Sequence, residues 1–498
     1  MTGFSILSRF QAFSRQIWAN FNLGNPIKSD LHSTWLHPEQ LPKYAAETPV
    51  VQRMLDLLGP LDWADFPERN LQRHWCQPAV SYAAFAGAML LKLNEGLDSM
   101  GDLRLYLVEH PGLIPLFGFH VTHSGKHSCG FDPEASLPTQ RHMTRMLREM
   151  PNTSLQFLLT DSARLICQEL HRFQVEAGDC ISLDTKHILA WVKENNPKAY
   201  IDGKRYDKTQ QPKGDSDCKL GCKRKHNQRT TSKDQSSPTT PNTNPISAEM
   251  IQVGEYYWGY GSGVVVVKVP DFGEFILAEM TQTFDHPDVS YFFPLMTKTE
   301  QVLGFKPRFG TFDAAFDAWY VYDYFHRDDD PDAFAAVPFS EKGGYKAKGR
   351  QFSPEGLPVC AAGLAMPLLF SFTDRTTCLV EHERGKYGCP LRYPHPTDKP
   401  CPINHKNSAK KGCTAMMPTS PGARLRYTLD RDGEAYKDTY RQRTAVERIN
   451  SQAKALNIER PHIRNGQAIA NQNTLIYVLI NLRLLQRIRN HKTETGQC

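Results

Sequence analysis

The sequence predicts an α/β protein: a mixed β-sheet with flanking helices, preceded by an all-α region and interrupted by a Cys/Pro-rich insertion. Three observations carry this prediction. Residues 1–175 hold apolar runs at helical spacing, punctuated by capping residues. From 176 onward short alternating or β-branched runs interleave with helical ones, the pattern of a sheet covered by helices. Residues 341–430 then lose both periodicities and become rich in Pro, Gly, Cys and Lys before helical spacing returns over 431–498.

In the first region, Val80–Leu97 is a run of Ala, Leu, Met and Phe closed by Gly96. Ser99 and Asp102 form a capping pair for the next helix, which stops before Pro111. Ser136-Leu-Pro138 opens RHMTRMLREM, an arginine ladder of Arg141, Arg145 and Arg148 suited to a DNA backbone and equally to a solvated helix face. A longer helix, capped by Asn152 or Thr153, runs through Leu170.

The second region opens with Cys180-Ile-Ser-Leu-Asp184, alternating as a strand does, and Ile188–Val192 continues it. Residues 203–247 are polar, charged and poor in aliphatics, which predicts a long exposed loop. Tyr256–Val269 is a buried strand with Phe275–Thr283 as its hairpin partner. Tyr291–Leu303 is helical, Arg308–Asp313 a short strand, Ala318–Phe325 a helix and Phe334–Phe339 a final strand that Pro338 restricts to an edge. That order matches a ribonuclease-H-like core. Leu475–Leu485, apolar nearly all round, predicts a buried closing helix.

Composition narrows the function classes. A chain of 498 residues with 40% hydrophobic content has room for two to four units, and it holds no apolar run long enough to span a bilayer. No signal-peptide core interrupts the N-terminus, so a cytoplasmic, non-membrane protein is expected. Net charge is only +6, but it is unevenly spread: residues 203–233 carry ten Lys/Arg, including Lys223, Arg224 and Lys225, and Lys342–Arg350 reads KGGYKAKGR. Such runs suit phosphate contacts as well as solvated loops. Twelve cysteines in so long a chain are no disulfide framework. Cys389, Cys401 and Cys413, twelve apart, with Cys360, Cys378, His395 and His405 nearby, and the trio Cys218, Cys222 and His226, leave structural zinc as a secondary reading, weakened by the lack of any C-x2-C pair.

The most informative stretch is YRQRTAVERINSQAK. On one α-helix Tyr440, Arg443, Glu447 and Lys454 fall in a stripe about 60° wide. A phenol, a guanidinium, a carboxylate and an ammonium in line suit neither a buried face nor an ordinary solvated one. They suit an acid held beside phosphate and metal. Two further acids have matching settings. Asp184 follows the apolar Ile181 and Leu183, where a lone carboxylate is costly without a cation, and Asp313 ends RFGTFD before two alanines. Asp317, four residues on, is the competing choice. Three carboxylates on separate elements can hold paired divalent ions for phosphodiester cleavage.

The spacing Y-x2-R-x3-E-x6-K, with LDTKHI around Asp184 and TFDAAFD around Asp313, resembles the signature of DDE transposases of bacterial insertion sequences. LNEGLDSMGDLRLYLVEHPGLIPLFGF, SLPTQRHMTRML and the closing Leu/Ile helix are similar to those enzymes' N-terminal DNA-binding region and final element. The resemblance implies a ribonuclease-H-like catalytic core in which Asp184, Asp313 and Glu447 hold two Mg²⁺ or Mn²⁺ ions. It implies that Tyr440, Arg443 and Lys454 grip DNA, and that partners are double-stranded transposon ends and target, within a homodimeric synaptic complex on the bacterial nucleoid. The expected activity is strand cleavage and strand transfer at terminal inverted repeats. The alternatives are a catalytically silent DNA-binding descendant and a metal-dependent nuclease of the same fold.

Overall fold

The computed structural model describes residues 39, 41–69, 80–119, 121–224, 254–340, 350–375, 379–397, 399–408 and 410–495. The helical region holds α1 (Pro49–Leu58), α2 (Tyr82–Asn94), α3 (Met100–Glu109), α4 (Gln140–Glu149) and α5 (Asn152–Arg172), joined by single-turn helices. Local chemistry fixes their ends. The Ser81 hydroxyl accepts from the Ala84 N–H at the start of α2, and Gly96 beyond its end takes φ +66°, where any side chain is strained. Ser99 and Asp102 make the expected reciprocal capping box at α3. The cap of α4 is Thr139 rather than Ser136, and Pro151, not Asn152 or Thr153, precedes α5. Met143, Met146 and Leu147 bury one side of α4 and leave Arg141, Arg145 and Arg148 outside.

The sheet begins with β1 (Cys180–Leu189), followed by β2 (Lys219–Arg224), β3 (Gly254–Val269) and β4 (Gly273–Thr283). After α6 (Phe292–Leu303) come β5 (Phe309–Thr311), α7 (Trp319–Phe325) and β6 (Phe334–Ala336). Long β3 is the spine. It pairs antiparallel with β1 on one edge and with β4 and β2, end to end, on the other. β5 lies parallel to β1, and β6 parallel to β5 at the sheet's edge, where Pro338 requires the chain to be. The order across the sheet is therefore β4-β3-β1-β5-β6.

Alternation divides the two faces. Gly261 and Gly263 of β3 lie under Tyr291, whose ring sits where a Cβ would be, 2.6 Å and 2.4 Å away, so this face admits the aromatic lead-in to α6. The opposite face carries Ser262, Val264 and Val266, and the Ser262 hydroxyl lies 3.3 Å from that of Tyr477.

Residues 203–247 depart from the expected bare loop. Of the part that is described, Lys219–Arg224 forms β2, and Asp215 is buried, accepting from the Tyr260 hydroxyl and the Asn465 N–H. With Leu220 as its one aliphatic side chain, β2 lacks the apolar alternation that marks a strand in sequence.

The 341–430 insertion folds as a separate three-stranded antiparallel sheet of β7 (Leu368–Asp374), β8 (His382–Gly388) and β9 (Thr414–Pro418), followed by α8 (Pro421–Thr428). Gly422 lets α8 lie against α7: a Cβ there would meet the Trp319 carbonyl at 2.3 Å. The chain closes with α9 (Glu434–Arg441), α10 (Thr444–Ala455) and α11 (Gly466–Thr495). The buried closing helix is as expected, packing on α5 and β4, with Asn481 bonding both backbone groups of Ile276. The single helix expected over 440–454 is instead two, broken at Gln442 and Arg443. No described helix is long and apolar enough to cross a membrane.

Candidate active site

Register builds the site. Ser182 of β1 pairs with Thr311 of β5, and the Thr311 hydroxyl donates to that of Ser182 at 2.8 Å, so both side chains share a face. Two residues on, β1 carries Asp184, and extended backbone just past β5 carries Asp313, whose carboxylate is close enough to raise that of Asp184. β5 ends at Thr311, and the Asp313 carboxylate turns to accept from the Ala315 N–H at 2.8 Å. The buried Ser182 hydroxyl also donates to the Gln442 carbonyl at 3.0 Å. One serine therefore pins the corner between α9 and α10 onto the two acid-bearing strands.

That corner presents the third acid. The Arg443 guanidinium lies 2.6 Å from the Glu447 carboxylate and 3.7 Å from that of Asp184, so the first and third acids are separated by the span of one guanidinium. The break changes the geometry foreseen for one helix. Arg443, the N-cap of α10, still lies one turn before Glu447 as expected and also reaches Asp184, while Tyr440 falls on the separate helix α9.

Electrostatics draws the group together. Asp184 keeps 19% of its side chain open to solvent, yet crowding by protein pushes its carboxyl up to about 6. Arg443 opposes that rise, while the Asp313 and Asp288 carboxylates add to it. Burial raises the Tyr440 phenol too, against Arg443 and with help from Asp313, Glu447 and Asp184. The ring of Tyr440 stacks on Tyr436 at 5.8 Å. Asp184, Asp313, Glu447, Tyr440 and Arg443 thus occupy one electrostatic neighbourhood.

Two residues join the site unforeseen. Asn450, one turn beyond Glu447, donates its amide to Asp184 at 3.3 Å, while its own side-chain oxygen is buried with no hydrogen-bond partner among the described residues. Its i+3 spacing from Glu447 was a readable signal. Asp288, which accepts from the Thr185 hydroxyl at 2.6 Å, gave none.

The other expected residues lie elsewhere. Lys454 stands two turns past Glu447, exposed, and its ammonium pairs with Glu459 at 3.5 Å, while Lys186 meets Glu459 at 2.5 Å. Arg145 pairs with Glu149 at 3.6 Å on an exposed helix face that Arg141 shares. Lys225 and the side chains of Lys223 and Arg224 lie outside the described residues. Asp317, the competing acid, is a structural anchor whose side chain is fully buried. It accepts two bonds from Arg426, at 2.7 Å and 2.6 Å, and others from the Tyr322 hydroxyl and the Ser340 N–H. Removing it strands a guanidinium that is only 22% exposed, so Asp317→Ala is expected to cost at most about 3–5 kcal/mol. A urea-unfolding midpoint close to that of the parent protein would refute this assignment.

Of the cysteines, Cys389 and Cys413 flank the paired ends of β8 and β9, and burial together with the Cys389 and Cys360 thiols pushes Cys413 up to about 11. Cys401 is engaged differently: backbone N–H groups of His405, Ile403 and Asn404 hold its thiol below the usual range. The other candidate trio is divided: Cys218 is buried, Cys222 is exposed and His226 lies outside the described residues. Cys378 also lies outside them.

Among the described residues no three His, Cys, Asp or Glu side chains are already set as a metal-ligand group. The donor chemistry of the acid cluster nonetheless fits hard divalent ions: two neighbouring carboxylates, one of them held against its preferred ionisation, and a third, 57% exposed, already drawn to a positive charge. Arg443 supplies in this structure the positive charge that a cation would supply between Asp184 and Glu447. No known protein family, curated protein or solved structure matches the chain.

Proposed function

We propose that the chain is a DDE-type DNA transposase with a ribonuclease-H-like catalytic core, cutting and joining DNA at the ends of its own insertion sequence. The reading rests above all on the nearness of Asp184 and Asp313, which follow the paired Ser182 and Thr311, and on the Ser182–Gln442 bond, which docks the Glu447 corner beside them. The sheet order supports it: three antiparallel strands, two more parallel to the first, with acids on β1 and just beyond β5.

Two Mg²⁺ or Mn²⁺ ions, when bound by Asp184, Asp313 and Glu447, would stabilise the attacking and leaving oxygens of an in-line displacement at phosphorus. The chain's own residues do the rest. Arg443, released from Glu447, offers its planar fork to a phosphate. Tyr440, already half-buried beside the acids, provides a ring for a base or a hydroxyl for a phosphate oxygen. Asn450 orients Asp184 through its amide. The exposed Arg141 and Arg145 of α4 suit the DNA backbone away from the cut.

The test is incubation of the purified protein with DNA carrying the sequences that flank its gene. Nicking that requires Mg²⁺ or Mn²⁺ and falls at the boundaries of the inverted repeats is the expected result. Tight binding with no cleavage under any divalent ion would favour a silent DNA-binding descendant, and cleavage without end preference would favour a nuclease.

A further inference from the structure

The insertion is one of two strongly basic stretches of the chain, the other being residues 203–233. Residues 341–430 hold fourteen Lys/Arg against seven Asp/Glu, whereas the remainder holds 45 against 46. The small sheet within that insertion has two unlike faces. Tyr387 and Met417 turn inward to a small core with Met366 and Ala423, against Trp319. Cross-strand register sets Phe370, Lys386 and Met416 in one row of the other face, and Phe372, Arg384 and Pro418 in the next. Phe370 is 52% exposed, Met416 46% and Phe372 39%. The two rings lie 6.3 Å apart, and the Lys386 ammonium stands 5.4 Å from the centre of Phe370.

Acids near this face are already engaged. Asp374 accepts from Arg384 at 2.9 Å, Glu381 pairs with Arg375 at 3.2 Å, and Glu383 accepts from the hydroxyls of Ser371 and Thr419 on the other side of the sheet. An apolar protein partner would be poorly matched to cations interleaved with the rings. Unpaired bases match well, because their faces stack on aromatic rings while the phosphates beside them meet ammonium and guanidinium groups. A duplex hides those faces. The platform is also tethered to the acid site, since α8, which follows β9, holds Asp317 through Arg426, four residues beyond Asp313.

We propose that the Phe370–Phe372 face of the insertion sheet is a binding platform for single-stranded DNA, with bases on the two rings and phosphates on Lys386 and its basic surroundings. It rests on the transposase reading only in taking DNA as the partner, and it gives the insertion the task of holding a strand that cleavage has freed.

The experiment uses the full chain and fluorescence anisotropy with an oligothymidylate of about 20 nucleotides, longer than the site of a single stacking module. The probe is compared with an abasic strand of the same length. Phe370→Ala/Phe372→Ala is expected to weaken oligothymidylate binding at least about tenfold, while Phe370→Tyr/Phe372→Tyr stays within about twofold of the parent. The abasic strand should bind all three proteins alike. Undiminished oligothymidylate binding by the alanine pair would overturn the proposal, as would an equal loss on the abasic strand. So would sedimentation showing that the alanine pair merely splits a dimer, which would assign the face to a second copy. A parent chain that stacks oligothymidylate yet never nicks end DNA would sink the catalytic reading and leave this one standing.

Discussion

Asp184→Asn, Asp313→Asn and Glu447→Gln are each expected to abolish strand cleavage while leaving binding to the element's ends largely intact. Each change keeps shape and removes a charge, so a loss in rate reports the missing ligand and not a collapsed fold. The loss should exceed the 10–100-fold that follows removal of an outer-shell partner around a metal. Asp184 lies on β1 and Asp313 just past the end of the parallel β5, and Glu447 lies across a single guanidinium from Asp184. Single-turnover cleavage of end DNA in Mg²⁺ and in Mn²⁺, with a gel-shift of the same DNA, measures both quantities. A variant that cuts at the parental rate removes its acid from the site. Loss of end binding in step with cleavage would mean that the residue holds DNA rather than the ions.

The same aspartate should make the metal-free protein less stable as pH rises. Its folded carboxyl titrates at about 6, above the ordinary 3.8, because burial outweighs Arg443. A raised carboxyl contributes stability that is complete below about 3.8 and is lost as pH climbs through about 6. That difference amounts to at most about 3 kcal/mol at pH 8. Asp184→Asn cannot ionise and keeps its stability. Thermal melting in chelator should therefore show the variant melting above the parent at pH 8 and alongside it near pH 4. Added Mg²⁺ should raise the parent's midpoint at pH 8 and leave the variant's unchanged. Parallel pH profiles for the two proteins would show that Asp184 is not strained in the folded state. Such strain is the usual signature of a site shaped for a ligand and not for stability.

Much of this arrangement was legible before any coordinates. The alternation of Cys180–Asp184, the consecutive valines of β3, the Ser99–Asp102 capping pair and the leucines and isoleucines of α11 are local signals, and each element formed where its signal lay. The acids were readable because their settings conflict with their chemistry: a carboxylate after two buried apolar residues, and an acid between cations. What stayed hidden depended on distant partners. The break at Gln442 and Arg443 contains no Pro or Gly, and what holds it is the Ser182 hydroxyl, 260 positions away in sequence. β2 forms because β3 offers it an edge, not because Lys219–Arg224 has strand character. The insertion sheet is masked by Gly385, Gly388 and its charged residues, since its strands are neither long nor regularly alternating. Asp317 looked like a ligand because it shares a motif with Asp313. Only Arg426, more than a hundred residues on, identifies it as an anchor.

The most direct measurement is the number of Mn²⁺ ions that the purified chain binds in the presence of end DNA, counted by electron paramagnetic resonance of the free ion. Two ions per chain for the parent, and fewer for Asp184→Asn and Glu447→Gln at the same concentration, is the result expected if the three carboxylates share one pocket. Equal Mn²⁺ occupancy in parent and variants would contradict it.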